Sequence, residues 1–226
     1  MLKKEGIAMN PVIIACKTLE NELRAAMEAL GCHLEVHWLE SVLHNFPKQL
    51  NTQLQSALDS CGEFDTALLA MSYCGNSLEG LHSGKLRLVI PRCDDCITLL
   101  LGSVHRRQSI SAAYFMTEGW LNGDCNLWQE YQYCIQKYRE KRGRRIFSAM
   151  LAHYQYLALL DTGCFDKKAA EMRLLPMAET LGLEYTCIEG TLTYLQDLLK
   201  GNWDADRFLV VPPHTTISSD MLTLKG

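Results

Sequence analysis

Long apolar runs are missing from this 226-residue sequence, since no stretch reaches the roughly 18 residues that a membrane-spanning helix needs. We therefore expect no membrane association. Net charge is also small: 22 basic and 26 acidic side chains leave a formal charge of −4, without the basic excess that is typical of nucleic-acid-binding proteins. The basic start is cut by Asn10-Pro11 and no cleavage site follows it, so we interpret residues 1–9 as a short tail and expect a cytoplasmic protein.

Several widespread catalytic motifs are absent as well. The sequence has no glycine-rich dinucleotide fingerprint, no phosphate-binding P-loop and no serine nucleophile elbow. It therefore contains no motif that indicates a nicotinamide-dependent enzyme, a nucleoside triphosphatase or a serine hydrolase.

Cysteine, by contrast, is abundant, with ten residues in the chain. We do not expect a disulfide framework, because a reducing compartment does not maintain one and the chain is long enough to build a hydrophobic core. Most of the cysteines are expected to be small buried side chains, since free cysteine is often buried. A cluster of cysteines in a cytoplasmic protein otherwise indicates a metal site or a catalytic site.

Apolar runs alternate with amphipathic segments along the whole chain. Strands are predicted over 11–16, 33–40, 64–74, 86–91, 112–118, 155–163, 183–190 and 207–213, with helices between them, including one over 94–108 and one over 124–153 with a break near Gly143. This alternation predicts an α/β protein with Rossmann-like, mostly parallel sheets. The pattern after residue 154 is similar to that of 11–74, which indicates either two pseudo-repeated lobes or one continuous doubly wound unit. We expect an N-terminal lobe over 1–123, a connecting helix over 124–153 and a second lobe over 154–226.

Ligands of such sheets bind beyond the carboxyl ends of the strands, and several cysteines fall there. Cys16 ends the first predicted strand, Cys74 ends the third, and Cys93 and Cys96 follow the fourth. Cys164, after the sixth strand, is a weaker member of this set. The other cysteines lie within or beside predicted elements and share no such edge: Cys32, Cys61, Cys125, Cys134 and Cys187.

The residues alone leave three interpretations of the Cys93–Cys96 pair open: metal ligands, a thiol redox pair, or buried structural thiols. Asp94 and Asp95 between them disfavour thiolate formation, and either carboxylate is suited to cap the following helix. Arg92 either holds a carboxylate or phosphate or forms a surface salt bridge. Trp120 either faces a pocket or packs in the core.

Four stretches also resemble a known family. IIACKTLENEL, LLAMSYCGNSLEGL, LVIPRCDDCITLLLGS and YFMTEGWL resemble the family catalogued as domain of unknown function 1638, whose motifs are Tyr-Gly-x-Cys-Gly, Pro-Arg-x-x-Asp-Cys-Ile and Thr-Pro-Gly-Trp. The sequence departs from these motifs at Ser72, where the family has glycine, and at Glu118, where it has proline. The resemblance covers most of the chain and implies an origin in anaerobes, with genes often beside those of corrinoid-dependent methyltransferases.

The resemblance implies which residues form the site. It favours Cys16, Cys74 and Cys96 as ligands of a zinc ion or a 4Fe-4S cluster with an open coordination position, with Cys93 as a further candidate outside the family pattern. It assigns Arg92 and Asp95 to orienting a small polar substrate or to ordering the ligands. It also carries over Gly119, and it implies contacts to a bound cofactor for three further residues: Tyr73, Gly75 and Trp120.

We therefore expect a metal-binding protein of one-carbon or corrinoid methyl metabolism, with methyl-transfer, lyase or hydrolase chemistry if it is an enzyme. One alternative is a non-catalytic accessory protein that binds a corrinoid or a metal for a methyltransferase. Another is a thiol oxidoreductase that uses Cys93 and Cys96. The expected partners are a small-molecule substrate and a corrinoid protein or methyltransferase, and a homodimer is one option for the assembly.

Overall fold

The structure is a computed structural model that describes residues 3–4, 7–124 and 126–223, so Cys125 lies outside the described residues. The chain forms two compact units: Met1–Val104 with Thr191–Gly226, and His105–Gly190. This division differs from the predicted boundaries at 123/124 and 153/154, which treat each lobe as one continuous segment. In the described part of the chain, no helix is long and apolar enough to cross a membrane.

The first unit contains a five-stranded sheet in the order β10-β6-β5-β3-β4. Its strands are β3 (Pro11–Cys16), β4 (Val36–Leu39), β5 (Thr66–Ala70), β6 (Arg87–Pro91) and β10 (Phe208–Val211). The first four are parallel, and β10 is antiparallel to β6. Every residue of β3 and β5 is buried, as expected for central strands of a parallel sheet that is covered on both faces.

Helices cover this sheet, and their apolar residues follow the helical period. In α2 (Pro47–Ser60) the buried Leu50, Leu54 and Leu58 recur every four residues and pack in one cluster with β3 and β5. Pro47 begins the helix, where its missing N–H costs nothing. The other helices of this part are α1 (Glu20–Ala29), α3 (Cys96–Leu101) and α9 (Thr193–Lys200), with 3-10 turns at Lys17–Leu19, Ser41–Asn45 and Ser219–Leu222. Helix α4 (Val104–Ser109) belongs to the second unit except for its first residue. Two short strands near the N-terminus, β1 (Lys3–Lys4) and β2 (Ile7–Ala8), pair with each other.

The second unit contains a three-stranded parallel sheet in the order β7-β8-β9. Its strands are β7 (Ala113–Met116), β8 (Tyr156–Asp161) and β9 (Glu184–Glu189). Its helices are α5 (Glu118–Asn122), α6 (Leu127–Tyr138), α7 (Glu140–Met150) and α8 (Lys167–Leu181). The buried residues of α8 pack in one cluster with β8, so this unit has its own core. The predicted α/β class with mostly parallel sheets is confirmed.

Two helices that were predicted as single segments are divided. The segment 94–108 breaks because Gly102 takes a left-handed conformation, with φ of 77°, at the end of α3. The segment 124–153 breaks at Arg139, whose φ is 64°, and not at Gly143. Gly143 instead lies where α7 meets α6, since a Cβ there would be 2.9 Å from the backbone oxygen of Cys134. Only glycine permits this close approach.

The proposed internal repeat ends before the last strand. The succession β8-α8-β9 follows the pattern of β3-α1-β4, but α9 packs on α1, β5 and β6 of the first unit. Strand β10 then pairs antiparallel with β6 and leaves the second sheet with three strands. Burial of α9 on the first sheet explains this return, because its inward face is almost entirely apolar: Tyr194, Leu195, Leu198 and Leu199.

Candidate functional site

The predicted cysteines lie at the switch point of the first sheet. Strand β4 pairs on one side of β3 and β5 pairs on the other, so the chain crosses over β3 between them. Open α/β sheets bind ligands in the crevice that forms where the strand order reverses in this way. Cys16 is the last residue of β3, and Cys74 lies in the loop after β5. Cys96 begins α3, which follows β6.

The loop after β5 has an unusual backbone. Cys74, Gly75 and Asn76 have φ values of 43°, 58° and 57°, so three successive residues take left-handed conformations. For Cys74 this is rare and costs backbone energy. The segment after β6 holds this loop in place, because the amides of Tyr73 and Cys74 donate to the carbonyls of Cys93 and Asp94 at 2.9 and 3.2 Å. Strain that the surrounding structure maintains is common at functional sites.

A buried hydroxyl joins two of the thiols. The Oγ of Ser72 lies 3.2 Å from the Sγ of Cys74 and 3.3 Å from the Sγ of Cys96. Ser72 is fully buried and Cys96 is 5 % exposed, whereas Cys74 is partly exposed. Cys74 is therefore the member of this group that solvent and small molecules reach most easily.

The three thiols have different protonation properties. A hydrogen bond from the Cys96 thiol, together with those from Ser72, lowers the pKa of Cys74 from its ordinary 9.0 to about 7. The same hydrogen bond and burial raise the pKa of Cys96 well above its ordinary value. Burial raises the pKa of Cys16, whose Sγ lies 2.6 Å from the Oγ1 of Thr18. Near neutral pH the site thus holds one partly ionised thiol beside two neutral ones.

Cys16 belongs to the same electrostatic group. A negative charge on Cys74 acts on the pKa of Cys16, and charges on both Cys16 and Cys74 act on the pKa of Cys96. The structure therefore brings together the three cysteines that were predicted at separate strand ends. We refer to Cys16, Ser72, Cys74 and Cys96 as the thiol site.

Cys93 has other neighbours. It is fully buried, and burial raises its pKa to about 12. The groups that act most strongly on its thiol are the Tyr194 phenol, Asp95 and Arg207, and no cysteine is among them. Cys93 is thus a buried thiol next to Tyr194 of α9, although Cys96 is only three residues away.

Arg92 and Asp95 already have structural partners. Arg92 donates from Nε to the carbonyl of Ala205 at 3.0 Å and from Nη1 to that of Met221 at 3.1 Å, which ties the C-terminal segment to β6. Asp95 caps α3, because its Oδ1 accepts from the amide and the hydroxyl of Thr98 at 2.6 and 2.7 Å. The substrate-orienting roles that the resemblance implies for both residues stay predictions.

The other predicted contacts fall in different places. The Tyr73 hydroxyl is buried beside Arg92 without a hydrogen-bond partner in the described residues, and burial raises its pKa. Gly75 supplies the middle left-handed residue of the strained loop. Trp120 belongs to the second unit, where it is partly buried and packs against that unit's core. Core packing is thus the interpretation of Trp120 that the structure supports.

Thiolates are metal ligands, so the arrangement of the three cysteines bears on metal binding. Among residues 3–4, 7–124 and 126–223, no group of three or more His, Cys, Asp or Glu side chains has an arrangement that could hold a metal ion. Cys74 and Cys96 adjoin the same hydroxyl, but the Cys16 sulfur is turned to Thr18. The structure therefore presents a two-thiol group with a third thiol nearby, and not a formed three-ligand site.

Ser72 is the residue of this site that sequence reasoning noticed but did not use. Its substitution for the family glycine was the available signal, because it introduces a hydroxyl two residues before Cys74.

Fold and site together define an α/β protein with a thiol group at the switch point of a mostly parallel sheet. The chain belongs to the family described as protein of unknown function (DUF1638), whose model matches residues 38–199. This range includes Cys74 and Cys96, and Cys16 precedes it. No curated protein and no solved structure matches the chain.

Proposed function

We propose that the thiol site acts on a small electrophile through the sulfur of Cys74. The observation that carries this proposal is the buried Ser72 hydroxyl, which lies within 3.3 Å of both the Cys74 and the Cys96 sulfur. This arrangement supplies hydrogen bonds to a thiolate at Cys74, whose side chain is partly exposed. Thiolate is the nucleophilic form of cysteine, so the site favours nucleophilic chemistry at this one sulfur.

The proposed reaction is alkyl transfer in one-carbon metabolism. The Cys74 thiolate attacks the carbon of a bound methyl donor, an S–C bond forms, and the bond from that carbon to the leaving group breaks with its electron pair. Cys96 and Ser72 are positioning residues, because they hold the thiolate by hydrogen bonds and do not touch the carbon. The resemblance to a family encoded beside corrinoid methyltransferases makes a corrinoid-bound methyl group the first donor to test.

Alkylation by iodoacetamide, mapped to each cysteine by peptide mass spectrometry over a range of pH, tests the reactive sulfur. We expect Cys74 to react with a midpoint at about pH 7. Cys93 is the internal control, since its pKa of about 12 should leave it unmodified in the same experiment. Equal labelling of the two cysteines at neutral pH, or no labelling of Cys74 below its ordinary pKa of 9.0, would contradict the proposal.

Metal binding at the thiol site is a second candidate. It is favoured by the positions of Cys16, Cys74 and Cys96, which end or follow three neighbouring parallel strands of one sheet. Thiolates select zinc or iron–sulfur centres, and a corrinoid- or metal-binding accessory protein would use the same residues without turnover. When bound, such a centre would supply Lewis-acid activation of a substrate thiol or carbonyl.

Anaerobic purification, elemental analysis and an absorption spectrum test this candidate. The variants are Cys16→Ser, Cys74→Ser and Cys96→Ser, with Cys93→Ser as the matched buried control. Loss of zinc or iron from the first three variants, with the control unchanged, would establish the metal site. An equal metal content in all of them would rule it out and leave the thiolate proposal in place.

A further inference from the structure

A polar cavity lies in the second unit, and none of the residues that line it belongs to the thiol site. It has a volume of about 470 Å³ and opens at the carboxyl ends of β8 and β9. Its lining includes Asp161, Lys167, Cys187 and Glu189. A cavity that collects a thiol, an ammonium and two carboxylates at this edge of a parallel sheet has the composition of a small-molecule site.

Strand register explains why these groups meet. Asp161 on β8 pairs with Glu189 on β9, and Leu159 pairs with Cys187. Paired residues on parallel strands face the same way, so the side chains of Asp161, Cys187 and Glu189 share one face of the sheet. Helix α8 covers this face, and its first residue, Lys167, lies near the carboxyl ends of β8 and β9.

Two polar pairs flank the thiol of Cys187. On one side, the Nζ of Lys167 lies 3.2 Å from the Oδ2 of Asp161, and its hydrogen bonds to Cys187 and Asp161 raise the pKa of Lys167. On the other side, the hydroxyl of Tyr185 donates to the Oε1 of Glu171 at 3.0 Å. Burial and the hydrogen bond with Glu171 raise the pKa of Tyr185, and Cys187 adds to this shift.

The helix supplies one partner of each pair. Lys167 and Glu171 are four residues apart on α8 and therefore lie on the same side of the helix, one turn apart. A thiol beside a cation that a carboxylate holds in place is one arrangement that activates a cysteine nucleophile. Lys167 remains protonated here, so it stabilises a thiolate by its charge and does not act as a base.

We propose that Cys187 is the nucleophile of a second site, in which Lys167 and Tyr185 bind and polarise a small acyl compound such as an ester or thioester. Cys187 attacks the carbonyl carbon, an S–C bond forms, and the bond to the leaving group breaks with its electron pair. The thiol proton passes to solvent. Water then attacks the thioester carbon, which releases the carboxylic acid and restores the thiol.

The probe is p-nitrophenyl acetate with the full chain. Release of p-nitrophenolate is followed by absorbance, and the acetyl group is located by peptide mass mapping. The variants are Cys187→Ser, Lys167→Met and the control Cys164→Ser, which removes another partly buried thiol of the same unit that does not line the cavity. Lys167 is 46 % exposed, so its replacement leaves a folded protein even if Cys187→Ser does not fold.

We expect acetylation of Cys187 before that of Cys164. We expect the rate of Cys187 acetylation, followed by peptide mass mapping, to fall about tenfold in Lys167→Met, because the variant lacks the ammonium charge beside the cavity thiol. Cys164→Ser should match the unaltered protein. Acetylation of Cys187 no faster than that of Cys164, or an unchanged rate in Lys167→Met, would overturn the proposal. Acetyl groups that collect on Cys74 instead would assign the activity to the thiol site and also overturn it.

Discussion

Replacement of Cys96 by alanine gives the sharpest test of the thiol site. The hydrogen bond from the Cys96 thiol is the main cause that lowers the pKa of Cys74 from its ordinary 9.0 to about 7. Without that hydrogen bond, burial of Cys74 opposes ionisation with only Ser72 left to support it. We therefore expect the midpoint of Cys74 alkylation to rise from about pH 7 toward 9.0.

The size of the effect on rate follows from this shift. At pH 7 a pKa of about 7 leaves about one half of Cys74 as thiolate, and a pKa of 9.0 leaves about one hundredth. Thiolate falls about fiftyfold, but a more basic thiolate is about eightfold more nucleophilic for a Brønsted slope of about 0.45. The net expectation is a rate about sixfold lower at pH 7. Above the new midpoint, the variant should react faster than the unaltered protein.

The measurement is the second-order rate of iodoacetamide addition to Cys74 as a function of pH, by peptide mass mapping. Cys93→Ala is the matched control, because it removes a buried thiol from the same segment that is not among the groups acting on Cys74. Urea unfolding of both variants checks that each is folded under the assay conditions. A midpoint that stays near pH 7 in folded Cys96→Ala would refute the hydrogen-bond explanation.

Three further predictions follow from the same contacts. Ser72→Ala should raise the midpoint of Cys74 alkylation by about one pH unit, because it removes one of the hydrogen bonds to the thiolate. This rise is smaller than the one expected for Cys96→Ala. A midpoint below that of the unaltered protein would contradict the prediction. The free energy of unfolding should fall as the pH rises from 9 toward 12, because Cys93 and Tyr194 hold their protons to about pH 12 when folded but lose them earlier when unfolded. Each of these two groups contributes a loss of up to about 1.4 kcal/mol per pH unit. Calorimetry that shows a stability independent of pH in this range would disprove it. Gly143→Ala should lower the free energy of urea unfolding by about 1–3 kcal/mol, because the added Cβ would meet the backbone of α6. Gly62→Ala is the control and should be nearly neutral, because its Cβ would have open space. Equal effects of the two substitutions would argue against the close helix contact.

Much of the fold was predictable because its signals are local. The apolar runs of β3 and β5 are buried on both faces, and such continuous runs indicate central strands of a parallel sheet. Pro47 at the start of α2 and Gly182 at the end of α8 act through their own backbone conformations, so they too are visible in the sequence. The path of β10 was not predictable, because its pairing with β6 depends on which sheet α9 covers.

The candidate sites show the same division. Strand ends of a parallel sheet share one edge, so the sequence could place Cys16, Cys74 and Cys96 near one another. Cys187 was not among the predicted site residues, because it lies within a strand. Alternation along β9 nevertheless puts Cys187 on one face with Tyr185 and Glu189. The polar partners of Cys187 come from α8, and nothing in the sequence states how that helix is rotated about its axis.

The sequence by itself determined the α/β class, most strand positions and the edge at which three cysteines collect, because each depends on the residue period and on chain direction. Tertiary structure alone decided that Cys93 faces α9, that the hydroxyl of Ser72 joins Cys74 to Cys96, and that the last strand returns to the first sheet. These features depend on distances between side chains that are far apart in the chain. Such distances are fixed only when the helices pack on the sheets and expel water from between them.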